Sequence, residues 1–323
     1  MAQYRDNLPQ LEGTDLYLTD GGMETTMIFH DGLDLPHFAS YVLLESAEGR
    51  EAIANYFAPY LASAADHGTG FVLETATWRA NADWGTVLGH DAAALDRLNR
   101  VAVDELAEMR SRAESDKPIV ISGVVGPRGD GYDPGEIMST SEAEAYHAVQ
   151  IRTFAETEAD LVTAFTITNV EEATGIVLAA VAAHMPVVVG LTVETDGRLP
   201  DGTPLGEAIE RIDGATNAAA VYFMINCAHP THFAGVLEVG GDWISRIGAV
   251  RANASTASHA ELDEATELDD GDPVDLGQRY LELQRLLPNL RVMGGCCGTD
   301  HRHVDAIGSA ITSRGSRAPE PVA

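Results

Sequence analysis

The chain has 323 residues, 45% of them hydrophobic, and carries 20 basic against 50 acidic side chains for a formal charge of −30. Its length and apolar content support a sizeable core, and its charge disfavours nucleic-acid phosphates and anionic membranes while attracting small cations. Lys117 is the only lysine, and an acidic shell of this kind suits a salt-rich cytoplasm, an expectation that salt-independent activity would remove.

The N-terminus has no basic segment followed by an apolar run, so no secretory signal is expected and the chain reads as cytoplasmic. Strands are expected at Leu16–Thr19, Gly70–Glu74, Pro118–Val125, Asp160–Phe165, Pro186–Val193, Ala220–Ile225, Ile244–Val250 and Leu290–Met293. Segments of helical period lie between them, near Gly49–His67, Ala92–Glu114, Glu142–Glu158, Glu171–Ala183, Pro204–Asn217, Pro230–Val239, Asp275–Leu287 and His301–Thr312. The longest apolar stretch, Gly175 to Val193, contains His184 and Pro186, and therefore reads as a helix followed by a strand rather than as a membrane span.

Eight alternations of strand and helix predict an α/β fold, a closed (β/α)₈ TIM barrel. The whole of 1–323 is read as one barrel domain, with a tail at 313–323 expected to fray. Asp20, Thr75, Gly126, Thr166, Glu194, Cys227, Asn253 and the pair Cys296-Cys297 all fall at or just beyond the C-terminal ends of predicted strands. That is the face on which barrels of this type build active sites.

Three long strand-to-helix loops follow, at Asn81–Asp91, Gly126–Ser141 and Asn253–Pro273. The last holds Glu261, Asp263, Glu264, Glu267, Asp269, Asp270 and Asp272, and reads as a solvated acidic excursion, because these acids lack the spacing of a calcium loop. Gly123-Val124-Val125-Gly126-Pro127-Arg128-Gly129 lacks the Lys-Ser/Thr ending of a phosphate loop, leaving Arg128 as a candidate for one side of a pocket.

Cys227 follows Ile225-Asn226, and Cys296-Cys297 sits inside Gly294-Gly295-Cys296-Cys297-Gly298-Thr299; the chain has no other cysteine. Adjacent cysteines, with Cα atoms about 3.8 Å apart, make a poor disulfide. Strand residues alternate faces, so two neighbours reach one metal only where the chain bends, and the flanking glycines permit the bend. The spacing alone leaves two readings open, small buried residues filling space or three thiolates on a metal.

Thr19-Asp20-Gly21-Gly22-Met23-Glu24-Thr25, Thr75-Ala76-Thr77-Trp78-Arg79-Ala80-Asn81, Asn226-Cys227 and the terminal GGCCGT run together resemble the homocysteine S-methyltransferase family, in the family's order and over nearly the whole chain. The resemblance implies a zinc-dependent thiol methyltransferase barrel with Cys227, Cys296 and Cys297 as both metal ligands and catalytic residues. The nearby histidines His229, His232, His301 and His303 are then not ligands.

The implied substrates are a small thiol, homocysteine first, giving methionine, and a cationic methyl donor such as S-methylmethionine, S-adenosylmethionine or betaine. Asp20, Gly21 and Gly22 would serve the amino-acid part of the thiol substrate; Thr75 and Thr77 either orient substrate or satisfy buried backbone, and Asn226 is a further substrate-binding candidate. The chain departs from the family in two places. Ala164-Phe165-Thr166-Ile167-Thr168-Asn169, where an amine-binding glutamate is usual, has no acid, and Glu24 stands where a small residue is usual. Glu24 is therefore the candidate replacement. No cobalamin or folate module is read after the barrel, which argues against a self-contained cobalamin-dependent methionine synthase and leaves a separate corrinoid protein as a candidate partner; a homo-oligomer is another. The competing class is a non-catalytic zinc or thiol binder that has lost its amine site, or a methyltransferase for another small thiol or a selenol.

Overall fold

A computed structural model describes residues 1–313. The expected frayed tail lies, from residue 314 onward, outside the described residues.

The strands are β1 (Tyr17–Leu18), β2 (Gly70–Glu74), β3 (Ile119–Val125), β4 (Leu161–Ile167), β5 (Val187–Leu191), β6 (Tyr222–Asn226), β7 (Ile247–Ala252) and β8 (Val292–Gly295). Each pairs in parallel with the next, and β8 pairs with β1, closing the ring. The principal helices after the successive strands are α1 (Ala47–His67), α2 (Ala92–Arg112), α3 (Thr140–Ala155), α4 (Val170–Ala182), α5 (Leu205–Thr216), α6 (Pro230–Val239), α7 (Pro273–Leu286) and α8 (His301–Thr312). This is the expected (β/α)₈ barrel. No helix among the described residues is long and apolar enough to cross a membrane.

Local chemistry sets the helix ends. Ser46 and Asn169 accept backbone N–H bonds at the starts of α1 and α4, and Ser139 with Glu142 forms a reciprocal capping box on α3. Gly68 ends α1 in the left-handed region, at φ 64°. The sequence reading ends β4 at Phe165, but the strand continues to Ile167 through a register shift at Thr166, whose φ is 60°. Ile244, expected to open β7, instead lies in a 3₁₀ turn, Asp242–Arg246.

Two apolar layers result. Phe71, Leu73, Ile121 and Val162 pack outward with helix residues such as Phe57, Leu98 and Ile151, while Tyr17, Val72, Val120, Val188 and Met224 form a second cluster on the alternate strand positions.

Helices α3 and α4 approach closely because Gly175 has no side chain: a Cβ there would lie 2.5 Å from the Cβ of Ala143. Gly175→Val is expected to destabilise the barrel by about 1–3 kcal/mol through overpacking. The expected signature in urea is a lower midpoint at an unchanged slope.

Candidate active site and its cysteine cluster

Cys227 leaves the end of β6 and Cys296-Cys297 leave the end of β8. Their three sulfur atoms lie within 4.8 Å of one another, with 3.5 Å between those of Cys227 and Cys297. Strand β7 lies between the two sources and holds both. Its Arg251 carbonyl accepts from the Cys227 N–H at 3.1 Å, and its Ala252 carbonyl accepts from the Cys296 N–H at 2.8 Å. The Asp20-Gly21-Gly22 turn supports the pair from the other side: the Gly22 N–H donates to the Thr299 carbonyl at 2.9 Å, and the Gly295 N–H to the Asp20 carbonyl at 2.9 Å. A Cβ on Gly22 would stand 2.6 Å from the Cys296 carbonyl oxygen, so the two motifs meet only because glycine is present.

The cysteines are free thiols. Hydrogen bonds from Cys227 and Cys297, helped by the Arg251 charge, pull the Cys296 thiol well below its ordinary pKa, while the hydrogen bonds that Cys227 gives to Cys296 and Cys297, and then its burial, push the Cys227 thiol up. Three soft thiolates beside an open cavity fit zinc, which takes four ligands and in reactive sites leaves one place for a small molecule. The group of side chains among the described residues that could hold a metal contains no histidine. His229 contacts Thr231, His232 the Thr256 carbonyl, and His303 both Asp300 and the Asp270 carbonyl.

Beneath the sulfurs lies a buried charge cluster that the sequence reading missed. Arg251, 4% exposed, donates to Asp20 Oδ1 at 2.7 Å, to the Gly21 and Gly295 carbonyls at 2.8 Å each, and to Glu74. Tyr56 donates to Asp20 Oδ2 at 2.9 Å. Both Asp20 oxygens therefore have protein partners, although the residue still lines the cavity. The available signal was an acid or base ending an otherwise apolar strand, Phe71-Val72-Leu73-Glu74 and Gly248-Ala249-Val250-Arg251.

A cavity of about 450 Å³ opens above the cysteines, its wall including Glu24, Trp78, Arg79, Asp130, Tyr132 and Phe38. Glu24 accepts from Ser40 at 2.7 Å, and burial raises its pKa. Arg79 lies over the rings of Trp78 and Trp84, 4.1 and 3.8 Å from their centroids, and donates to the Gly129 carbonyl at 2.7 Å. Tyr132 Oη sits 3.0 Å from Cys227 Sγ. Burial and then the neighbouring sulfurs push its pKa well up, so the phenol keeps its proton and can donate to that sulfur.

Four features of the sequence reading take specific places in the structure. Thr77 does not line the cavity: its hydroxyl donates to the Val124 carbonyl at 2.7 Å and, with Thr75, stitches the end of β2 to β3. Asn226 is absent from the wall as well, because both ends of its amide are taken by Thr166, at 3.0 and 2.8 Å. Arg128 points to Asp83 at 2.8 Å and lies outside the cavity. The acidic excursion after β7 is not merely solvated, since Leu262, Ala265, Glu267, Leu268 and Asp269 line the cavity.

The family model for homocysteine S-methyltransferases matches residues 17–311. The chain belongs to the homocysteine S-methyltransferase family. This family member is 24% identical to a selenocysteine Se-methyltransferase of Brassica oleracea var. italica, over 93% of this chain and 90% of that one. In fold it is similar to crystal structures of the homocysteine methyltransferase MmuM from Escherichia coli. The oxidized and metallated forms give TM-scores of 0.74 and 0.71, each at 19% identity and covering 95% of this chain and 99% of that one.

Arg251→Met is expected to cost about 3–5 kcal/mol, because it leaves Asp20 and Glu74 buried without their cation. Adding Asp20→Asn and Glu74→Gln should recover part of that loss in equilibrium unfolding; equal instability of the single and triple variants would contradict the charge account.

Proposed function

We propose that this family member moves a methyl group from a sulfonium or ammonium donor to a small thiol or selenol, with homocysteine the leading acceptor and methionine the product. The observation that carries the reading is the three-sulfur cluster on one side of the 450 Å³ cavity. Cys227, Cys296 and Cys297 would hold zinc, whose charge keeps an incoming thiol deprotonated near neutral pH. In the transfer, the bond from the methyl carbon to the donor sulfur or nitrogen breaks as the acceptor sulfur or selenium bonds to that carbon, and the acceptor proton goes to solvent.

The chain's own groups supply binding and orientation. Arg251 already offsets charge at Asp20 and Glu74, so the remaining wall carboxylates, Glu24, Asp130, Glu267 and Asp269, outnumber Arg79 and favour a cation. Phe29, Phe38 and Trp78 add aromatic faces that attract a sulfonium or quaternary ammonium. Glu24 would receive the acceptor's ammonium, since a carboxyl made reluctant to ionise by burial gains most from a cation beside it. The selenocysteine Se-methyltransferase relative keeps a selenol acceptor within the proposal. Free thiols suit a reducing compartment, which favours the cytoplasm.

The test is methyl transfer to homocysteine from S-methylmethionine, S-adenosylmethionine and betaine in turn. Turnover is expected with at least one donor, lost on chelation and restored by zinc. Turnover that survives complete zinc removal would contradict the proposal, and inactivity with every donor and with selenol acceptors would favour the non-catalytic binder. Glu24→Gln is expected to raise the KM for homocysteine about tenfold or more, as a charge-assisted bond is lost. An unchanged KM removes Glu24 from the amine site.

A further inference from the structure

Cys227 is held against its own backbone preference. Its φ is 57°, in the left-handed region that a residue with a Cβ seldom occupies, and such a conformation persists only where its surroundings over-determine it. The N–H of Cys227 is tied to β7, and its carbonyl accepts from His259 Nε2 at 2.7 Å, with Thr192 Oγ1 at 3.5 Å. His259 itself is fixed on two further sides. Its Nδ1 lies 3.0 Å from Glu194 Oε1, and its ring stacks on Tyr132 at 4.0 Å between centroids and 15° between planes. Tyr132 in turn reaches the Cys227 sulfur. Carbonyl and sulfur of one cysteine are thus gripped by two side chains that lie flat against each other, from the β7 and β3 loops.

His259 is 4% exposed, although it sits in the acidic excursion read from sequence as solvated. Ser258 and Glu261 form a capping box around the short helix His259–Asp263, which sets the direction of the ring.

We propose that His259, oriented by Glu194, is a positioning residue for the three-sulfur centre: it locks the Cys227 carbonyl and backs Tyr132, so that the Cys227 sulfur stays beside those of Cys296 and Cys297. Seating of the β7 loop and integrity of the metal-binding cluster are then one event. The proposal rests on reading that cluster as a zinc centre. A partner that orients a ligand through hydrogen bonds changes metal affinity or activity by roughly 10–100-fold.

The experiment uses the full chain and compares wild type, His259→Phe, which keeps a flat ring without nitrogens, and His259→Gln, which keeps one amide donor. Three quantities are read: zinc affinity by competition with a chromophoric chelator, the absorption spectrum of the cobalt(II)-loaded protein, and the rate of Cys227 alkylation in metal-free protein. His259→Phe is expected to bind zinc roughly 10–100-fold more weakly, with an altered cobalt spectrum and faster Cys227 alkylation; His259→Gln should recover most of each. Wild-type affinity, spectrum and alkylation in His259→Phe would overturn the proposal. So would equal losses in the two variants, which mark a merely structural role. Should His259→Phe not fold, Glu194→Leu, which removes the polar support of the ring, should show the same changes in smaller degree, and its indifference overturns the proposal. If wild type takes up no zinc, the zinc reading itself fails, while alkylation still decides whether His259 holds Cys227.

Discussion

Two cysteine sources separated by a strand can meet only if that strand fixes the height of both, and β7 does so with two consecutive residues. The carbonyl of Arg251 anchors Cys227 and the carbonyl of Ala252 anchors Cys296. The Arg251 side chain then binds the Gly21 and Gly295 carbonyls together with Asp20 and Glu74. One residue thus ties β1, β2 and β8 to the strand that positions the sulfurs. A shift of β7 by one residue would reverse its side-chain faces, taking the guanidinium out of the barrel and the two carbonyls out of reach.

The same arrangement divides the charge of the mouth into a structural and a free part. A buried ion pair is weak evidence for stability in itself, because desolvation offsets much of the attraction; its value here lies in register and orientation. Asp20 and Glu74 are consumed in holding the strands, while Glu24, Glu267 and Asp269 line the cavity and Asp130 pairs with Arg79 at 3.6 Å. Aromatic rings around those acids make the cavity suited to a compact organic cation rather than to a phosphate or a polyanion.

The barrel was legible because its strands are continuous apolar runs separated by amphipathic segments, and the cysteines because an adjacent pair makes a poor disulfide and the motifs around them resemble the family's. Thr77 and Asn226 lie in segments that resemble the family's motifs, which makes both candidates for substrate contact. Their hydrogen bonds instead go to Val124 and Thr166, and no local pattern announces a left-handed threonine at the end of β4. Arg251, Glu74, Tyr132 and His259 stayed hidden for a related reason, since their partners lie far away in the chain. Acidity also misled: the many carboxylates between Asn253 and Pro273 drew attention from Leu262 and Leu268, the apolar residues that bring the loop over the cavity.

The central claim is that three sulfurs, and no other protein atoms, form the metal site. X-ray absorption at the zinc edge of the loaded protein tests it most directly. The account predicts three sulfur scatterers at about 2.3 Å, falling to two in Cys227→Ser. A shell built mainly from nitrogen or oxygen, or a sulfur count that Cys227→Ser leaves unchanged, would contradict it.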